Sequence, residues 1–299
     1  MRRETLALVL VALGVQEIDP YDQSKVPVEV EPSDPSLAKV VLVAGRMSHG
    51  PGDHEYFAGL ALLMKMLSQT PGVAPVLVRD GWPKNEGIFA GARSIVFFSD
   101  GGGGHPLVQG NRMDAIQKEI DRGAGFVALH YALNFPAGPG ERVLGWLGGH
   151  VLGGYSTSLA SKWTAEFTAL PEHPVTRGVG PFTLHDEWYY FCKFVPGMKG
   201  VTPILKAVPP DATRQTAASK EHPGREEIVA WAYERPGGGR GFGYTGGHMH
   251  RNWGEAPVRR LVTNAILWTA GVQVPAEGAP VALDSADLNR HLDDKRRKR

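Results

Sequence analysis

A chain of 299 residues with 42% hydrophobic and 21% charged content is long and apolar enough for one large α/β domain or two small ones, which excludes a fibrous or disordered protein. Lys plus Arg (32) balance Asp plus Glu (31), so no overall field attracts nucleic acid or an anionic membrane. The basic end Lys295-Arg296-Arg297-Lys298-Arg299 is local and reads as a solvated terminus, with a polyanion contact as the alternative.

At the start, Arg2-Arg3 precede an apolar core from Leu6 to Leu13, and Ala12 and Gly14 suit a cleavage site. This pattern predicts a general secretory signal over residues 1–16 and an exported, periplasmic or extracellular protein; a frayed helix of the fold is the alternative. The core is too short to span a bilayer, and the mature chain is expected to carry no membrane span. Residues 17–38, rich in Pro, Asp, Glu and Ser, read as a linker to a domain over 39–272, followed by a tail over 273–299 expected to pack little.

Lys39 to Ala44 reads as the first strand, and Asp53 is placed to cap a helix running to Gln69 with Tyr56, Leu60, Leu63, Met64 and Leu67 on one face. Strands follow at 75–78 and 94–98, then a helix through Met113, Ile116 and Ile120, and a strand at 125–129. Strand-like runs at 163–168, 183–191, 201–206 and 227–234 have few helices between them and predict added antiparallel strands. A last helix starts at Pro257 and stops at Gly271. The fold class expected is α/β: a doubly wound, mostly parallel sheet in a three-layer sandwich, with antiparallel strands in the second half.

Four of the apolar runs end in His-bearing loops. Lys39–Ala44 leads to His49, Ser94–Phe98 to Asp100 and His105, Gly125–Leu129 directly to His130, and Gly241–Thr245 to His248 and His250. Ligands of doubly wound sheets bind outside the carboxyl ends of the strands, so these loops predict one imidazole-rich site. His49, His130 and His248, with an open fourth position, suit a divalent metal such as zinc; singly, each is an ordinary hydrogen-bonded loop histidine. Gly101-Gly102-Gly103-Gly104 lacks the Lys-Ser/Thr of a phosphate loop and the spacing of a dinucleotide fingerprint, so no nucleotide cofactor is expected.

Asp186-Glu187-Trp188-Tyr189 combines carboxylates for sugar hydroxyls with aromatic faces for C–H patches. On a strand, Asp186 and Trp188 face one way, Glu187 and Tyr189 the other, and only one pair can enter a given cleft. A half-buried strand with ordinary aromatic packing is the plain alternative. The lone Cys192 has neither a His partner nor a nucleophile elbow in the sequence.

The strand leading to His130, Ser48-His49-Gly50, Asp53-His54-Glu55, Asp186-Glu187-Trp188-Tyr189 and Gly246-Gly247-His248 before Trp253 and Ile266-Leu267-Trp268-Thr269-Ala270-Gly271 together resemble the ThuA-like, or trehalose-utilisation, family. The resemblance spans about residues 39–272 and implies a class I glutamine amidotransferase-like fold and a role in carbohydrate catabolism. Family members commonly accompany dehydrogenases that make 3-keto glycosides, which implies oxidised sugars as ligands. Where an amidotransferase has its cysteine, this chain has His130, so thiol chemistry is not expected.

The expected function is an enzyme acting on a sugar or keto-sugar by general acid-base chemistry, as a lyase, hydrolase or isomerase, with possible metal assistance. In it His130, Asp186 and Glu187 are the catalytic candidates, and Asp100, His105, Tyr131, Trp188, Tyr189 and His250 bind the carbohydrate. The rival is a non-catalytic carbohydrate-binding or scaffold protein on the same sheet.

Overall fold

The computed structural model describes residues 19–152 and 159–297; the expected signal segment lies outside them, as do the last two residues of the basic end. In chain order the elements are β1 (Ala38–Ala44), α1 (Tyr56–Leu67), β2 (Val73–Val78), β3 (Ser94–Phe98), α2 (Arg112–Asp121), β4 (Gly125–Leu129), β5 (Asn134–Phe135), α3 (Ala137–Leu147) and β6 (Gly149–Leu152). There follow β7 (Leu159–Phe167), β8 (Phe182–Tyr190), β9 (Lys193–Phe194), β10 (Val201–Ala207), α4 (Ala217–Lys220), β11 (Glu227–Glu234), β12 (Arg240–Tyr244) and α5 (Ala256–Thr269).

A seven-stranded sheet has the order β10-β11-β12-β4-β3-β1-β2. The strands from β12 to β2 are parallel, and β11 runs antiparallel between β10 and β12. Alternate residues of the parallel strands enter two different cores, which is why the runs are continuously apolar. Val40, Leu42, Val96, Val127 and Phe242 pack in the core that contains Leu60 and Leu63 of α1 and Leu261 and Val262 of α5. Val41, Val43, Ile95, Phe97 and Phe126 join Ile116 of α2 and Val143 of α3 in the other. The strands β12, β4, β3 and β1, whose ends carry the polar loops, are consecutive neighbours in the sheet. The hairpin β7–β8 pairs Asp186 with Trp163 and Glu187 with Lys162; its Asp186 and Trp188 are buried, while Glu187 on the opposite face is half-buried.

Two local expectations need correction. Asp53 does not cap α1: the helix starts at Tyr56 without a side-chain cap. His54, at φ 49°, interrupts any helix running back to Asp53, which instead forms an isolated antiparallel bridge with Met249. The stretch after residue 272 packs more than expected, with Val274, Ala279, Val281, Asp287 and Lys295 all buried. It does so as loops and two short 3-10 turns held by specific partners, such as Ala279 N–H donating to Asn264 Oδ1 at 2.7 Å, and so has no long periodicity to read. The helix α3 forms from a Gly- and Pro-rich sequence. Its Gly140 permits close approach of the His150 ring, which a Cβ would meet at 2.5 Å.

Candidate metal centre

Each functional histidine is delivered by the loop after a parallel strand, and three of them have left-handed backbone: His49 (φ 59°), His54 (φ 49°) and His130 (φ 52°). For residues with a Cβ this costs on the order of 1–2 kcal/mol each, so the surrounding contacts must hold the conformation. His54 N–H donates to His248 O at 2.9 Å, tying the loop after β1 to the loop after β12. His130, directly after β4, is fully buried, and Thr245 O accepts from its Nδ1 at 2.8 Å.

That last bond determines a tautomer. With Nδ1–H donating, His130 Nε2 carries a lone pair. The same logic applies to His54: Tyr56 OH donates to Asp100 Oδ1 at 2.7 Å, so the phenol oxygen accepts from His54 Nδ1–H and leaves Nε2 unprotonated. The two lone-pair nitrogens, His54 Nε2 and His130 Nε2, face each other at 3.1 Å. His248 Nδ1 is 2.9 Å from His54 Nε2 and 3.3 Å from Glu187 Oε2, and that oxygen is 3.6 Å from His130 Nε2. All four donor atoms lie within 4.8 Å of one another. A tetrahedral zinc with bonds of about 2.0–2.1 Å has donor-to-donor edges of about 3.3–3.4 Å; the four separations given bracket that value, so these donors are close enough together to share one divalent ion. Beyond the donors, Tyr56 and Thr245 orient two rings from behind. Asp53 Oδ2 lies 3.1 Å from His248 Nε2, out of line for a hydrogen bond but close enough for charge attraction. An acceptor behind each imidazole is the usual support of metal-ligating histidine.

His49 lies outside this set. It is half-exposed, stacks on His54 with ring centroids 3.6 Å apart, and shares Ser48 with Asp100: Ser48 Oγ is 2.9 Å from His49 Nδ1 and donates to Asp100 Oδ1 at 2.8 Å. With His54 and Asp100 it forms a second, looser group of possible ligands. Tyr131 and Tyr189 place near-parallel rings, 6.3 Å apart, beside the centre, and Tyr189 is 5.0 Å from the His130 ring.

Other residues singled out in the sequence serve the scaffold around the site. Asp186 accepts from Gly247 N–H at 2.7 Å, Glu187 N–H at 2.8 Å and Met249 N–H at 3.2 Å, fastening the loop that carries His248. Gly247, at φ 110°, supplies a conformation that L side chains rarely adopt. Trp188 is buried and donates from Nε1 to Trp163 O. His105 is buried beside Phe135, bonding Ala132 O and accepting from Leu107 N–H. His250 is buried and bonded to Leu288 O. Sequence reasoning did not single out Tyr56 or Asp53 for the site, and it quoted His54 without a role. The Asp53-His54 pair just before a helix was the available signal.

Burial is the largest cause depressing His54 to about 4, His105 to about 3, His250 to about 4 and His130 well below the ordinary histidine range. For His248, burial is opposed and outweighed by Glu187 and Asp53, and its pKa is raised. Glu187 is pulled down by His248 and its neighbours against the opposing effect of burial. A pH dependence of stability follows. A base depressed in the folded state takes up protons mainly when unfolded, so its contribution is complete above about 6.5 and is lost as pH falls through the window down to its folded pKa. Each such histidine contributes up to about 1.4 kcal/mol per pH unit within that window. The metal-free chain should therefore lose stability steadily from pH 6.5 to 4.5. Urea midpoints at pH 7, 6 and 5 check this, and equal midpoints would refute it.

The sheet and these loops define a class of protein: a doubly wound α/β domain whose strand-end loops meet in a histidine-carboxylate centre. The ThuA family model, described as trehalose utilisation, matches residues 41–269, and the chain belongs to this family. Among solved structures it is similar to a ThuA-like protein of Bacteroides uniformis, with 17% identity, a TM-score of 0.55 and coverage of 80% of this chain and 94% of that one. It is also similar to one of Parabacteroides merdae, with 15% identity, a TM-score of 0.57 and coverage of 85% and 99%. No curated protein matches the chain.

Proposed function

We propose that the protein is a carbohydrate-catabolic enzyme that acts on a keto-sugar or its glycoside by general acid-base chemistry at a divalent metal centre, with zinc as the fitting ion. The observation that carries this reading is the convergence of His54 Nε2, His130 Nε2, His248 Nδ1 and Glu187 Oε2 within 4.8 Å of one another. His49 belongs to this reading as a proton-transfer group at the mouth, and His54 takes the ligand position that strand order alone would have assigned to it.

A carbonyl beside a sugar C–H acidifies that hydrogen, and a divalent ion supplies Lewis acidity toward the oxygen where charge develops. Proton transfer falls to the exposed groups beside the centre. Asp53, 35% exposed in its side chain, and His49, 40% exposed, flank the buried histidines and are able to exchange protons with both substrate and water. Tyr131, half-buried, offers a ring face to the apolar side of a sugar, with the buried Tyr189 behind it. Asp186 acts through the loop it fastens, without touching substrate.

Burial and the Glu227 carboxylate push the Cys192 thiol above its ordinary range, so it is no nucleophile at neutral pH. Cys192→Ser should leave turnover within about twofold and change stability by at most about 1–2 kcal/mol. Loss of turnover in a folded variant would restore a thiol mechanism.

The reading as a whole is tested by incubating the protein with 3-keto glycosides before and after chelation. Turnover that disappears with chelator and returns with zinc is expected. Sugar binding without turnover in the zinc-loaded protein would instead establish a binding protein.

A further inference from the structure

The chain beyond the family-matched residues 41–269 returns to the candidate centre and places a buried ammonium beside it. Lys295 is only 2% exposed in its side chain, as is Glu55, and the two are ion-paired at 3.1 Å. Its Nζ also donates to three carbonyls of the loop after β1: Gly50 O at 3.2 Å, Asp53 O, and His54 O at 3.3 Å. Glu55 completes the arrangement, accepting from Gly52 N–H at 3.0 Å through Oε1 and from Asp293 N–H at 2.9 Å through Oε2. One lysine thus gathers a loop containing three left-handed residues, His49, Gly52 and His54.

This loop is also tied by Ser48 to Asp100 and by His54 to Tyr56. It contains no regular secondary structure, and its cross-links to the loop after β12 are the Asp53–Met249 bridge, His54 N–H to His248 O and His250 N–H to Gly52 O, each 2.9 Å for the latter two. A buried cation satisfied by carbonyls and one carboxylate is a strong local organiser, because losing either charge leaves the other unpaired in a dry environment. We propose that Lys295 is a positioning residue for the metal centre: it clamps the Gly50–Glu55 loop in the conformation that points His54 Nε2 at His130 and His248. The tail is thereby a working part of the site.

The inference rests on the metal reading for its function but not for its structural test. In Lys295→Met, hydrogen exchange at the amides of His54 and His250 should speed up at least about tenfold with or without metal, as expected for a loop released from its clamp. The visible spectrum of the cobalt-loaded protein should change, and cobalt and zinc affinity should fall by about 10- to 100-fold, the usual effect of losing an outer-shell support. Lys295→Arg should recover part of both. The control is Lys65→Met, which removes a different tie of the tail, at Asp284 and Asp287. It should weaken tail docking and leave the amide exchange of His54 and the cobalt spectrum unchanged.

If Lys295→Met does not fold, Glu55→Gln removes the partner charge at nearly constant shape and should give the same exchange and spectral changes. Wild-type exchange at His54 and His250 in a folded Lys295→Met or Glu55→Gln protein overturns the clamp. Faster exchange together with no uptake of cobalt by the wild-type protein would instead refute the metal reading and leave the clamp standing as a loop support only.

Discussion

Replacing His130 with Ala should abolish turnover of a keto-sugar, lowering the rate by on the order of 10² to 10⁴ or more, while the protein remains cooperatively folded. Two arguments give the size. His130 is fully buried with one nitrogen committed to Thr245 O, so the other has a single orientation, toward His54 and Glu187. Its loss removes one of four donors, a larger change than removal of an outer-shell support, which costs about 10- to 100-fold in affinity. Stability of the metal-free variant should change little, within about 1–2 kcal/mol. The cavity left by the ring is offset by relief of the lone-pair repulsion between two imidazole nitrogens 3.1 Å apart. Steady-state kinetics and urea unfolding on the same preparation check both halves. A variant with wild-type turnover would remove His130 from the mechanism.

The second large effect is on folding. Asp186→Ala should destabilise the protein by about 3–5 kcal/mol, because three backbone N–H groups, of Gly247, Glu187 and Met249, lose a charged acceptor in a fully buried place. Burial raises the pKa of Asp186, and the N–H bonds only partly counteract it, so the carboxylate depends on those donors. Because the same donors shape the loop carrying His248, metal affinity should fall with stability. Glu187→Gln should separate the two effects, lowering metal affinity with stability nearly intact, since Glu187 is half-buried and points into the centre. If Asp186→Ala proved as stable as wild type, the loop would be held by something other than this carboxylate.

The contrast between these adjacent carboxylates was partly legible in the sequence. Strand alternation separates Asp186 and Trp188 from Glu187 and Tyr189, and the structure puts only the second pair beside the histidines. The parallel strands were equally legible, since coverage on both faces makes them uninterrupted apolar runs. Which histidine after β1 enters the centre was not. His49 and His54 occupy an irregular loop whose path depends on left-handed residues and on Lys295, some 240 residues away in sequence. A contact of that kind leaves no periodic trace. For the same reason the tail reads as a solvated end, although Lys295 is among the buried charges. The helix α3 was hidden by Gly138, Pro139 and Gly140, whose propensity is overridden by packing of Val143, Trp146 and Leu147 against the sheet.

The central claim is that four side chains from separate loops and one hairpin form a site for one divalent ion. Calorimetric titration of the chelator-treated, full-length protein with zinc addresses it most directly. One equivalent should bind, with proton release as His248, whose pKa is raised in the metal-free state, gives up its proton, and the binding should be lost in His54→Ala and His130→Ala. Absence of stoichiometric zinc binding in the wild-type protein, or undiminished binding in both variants, would contradict the account.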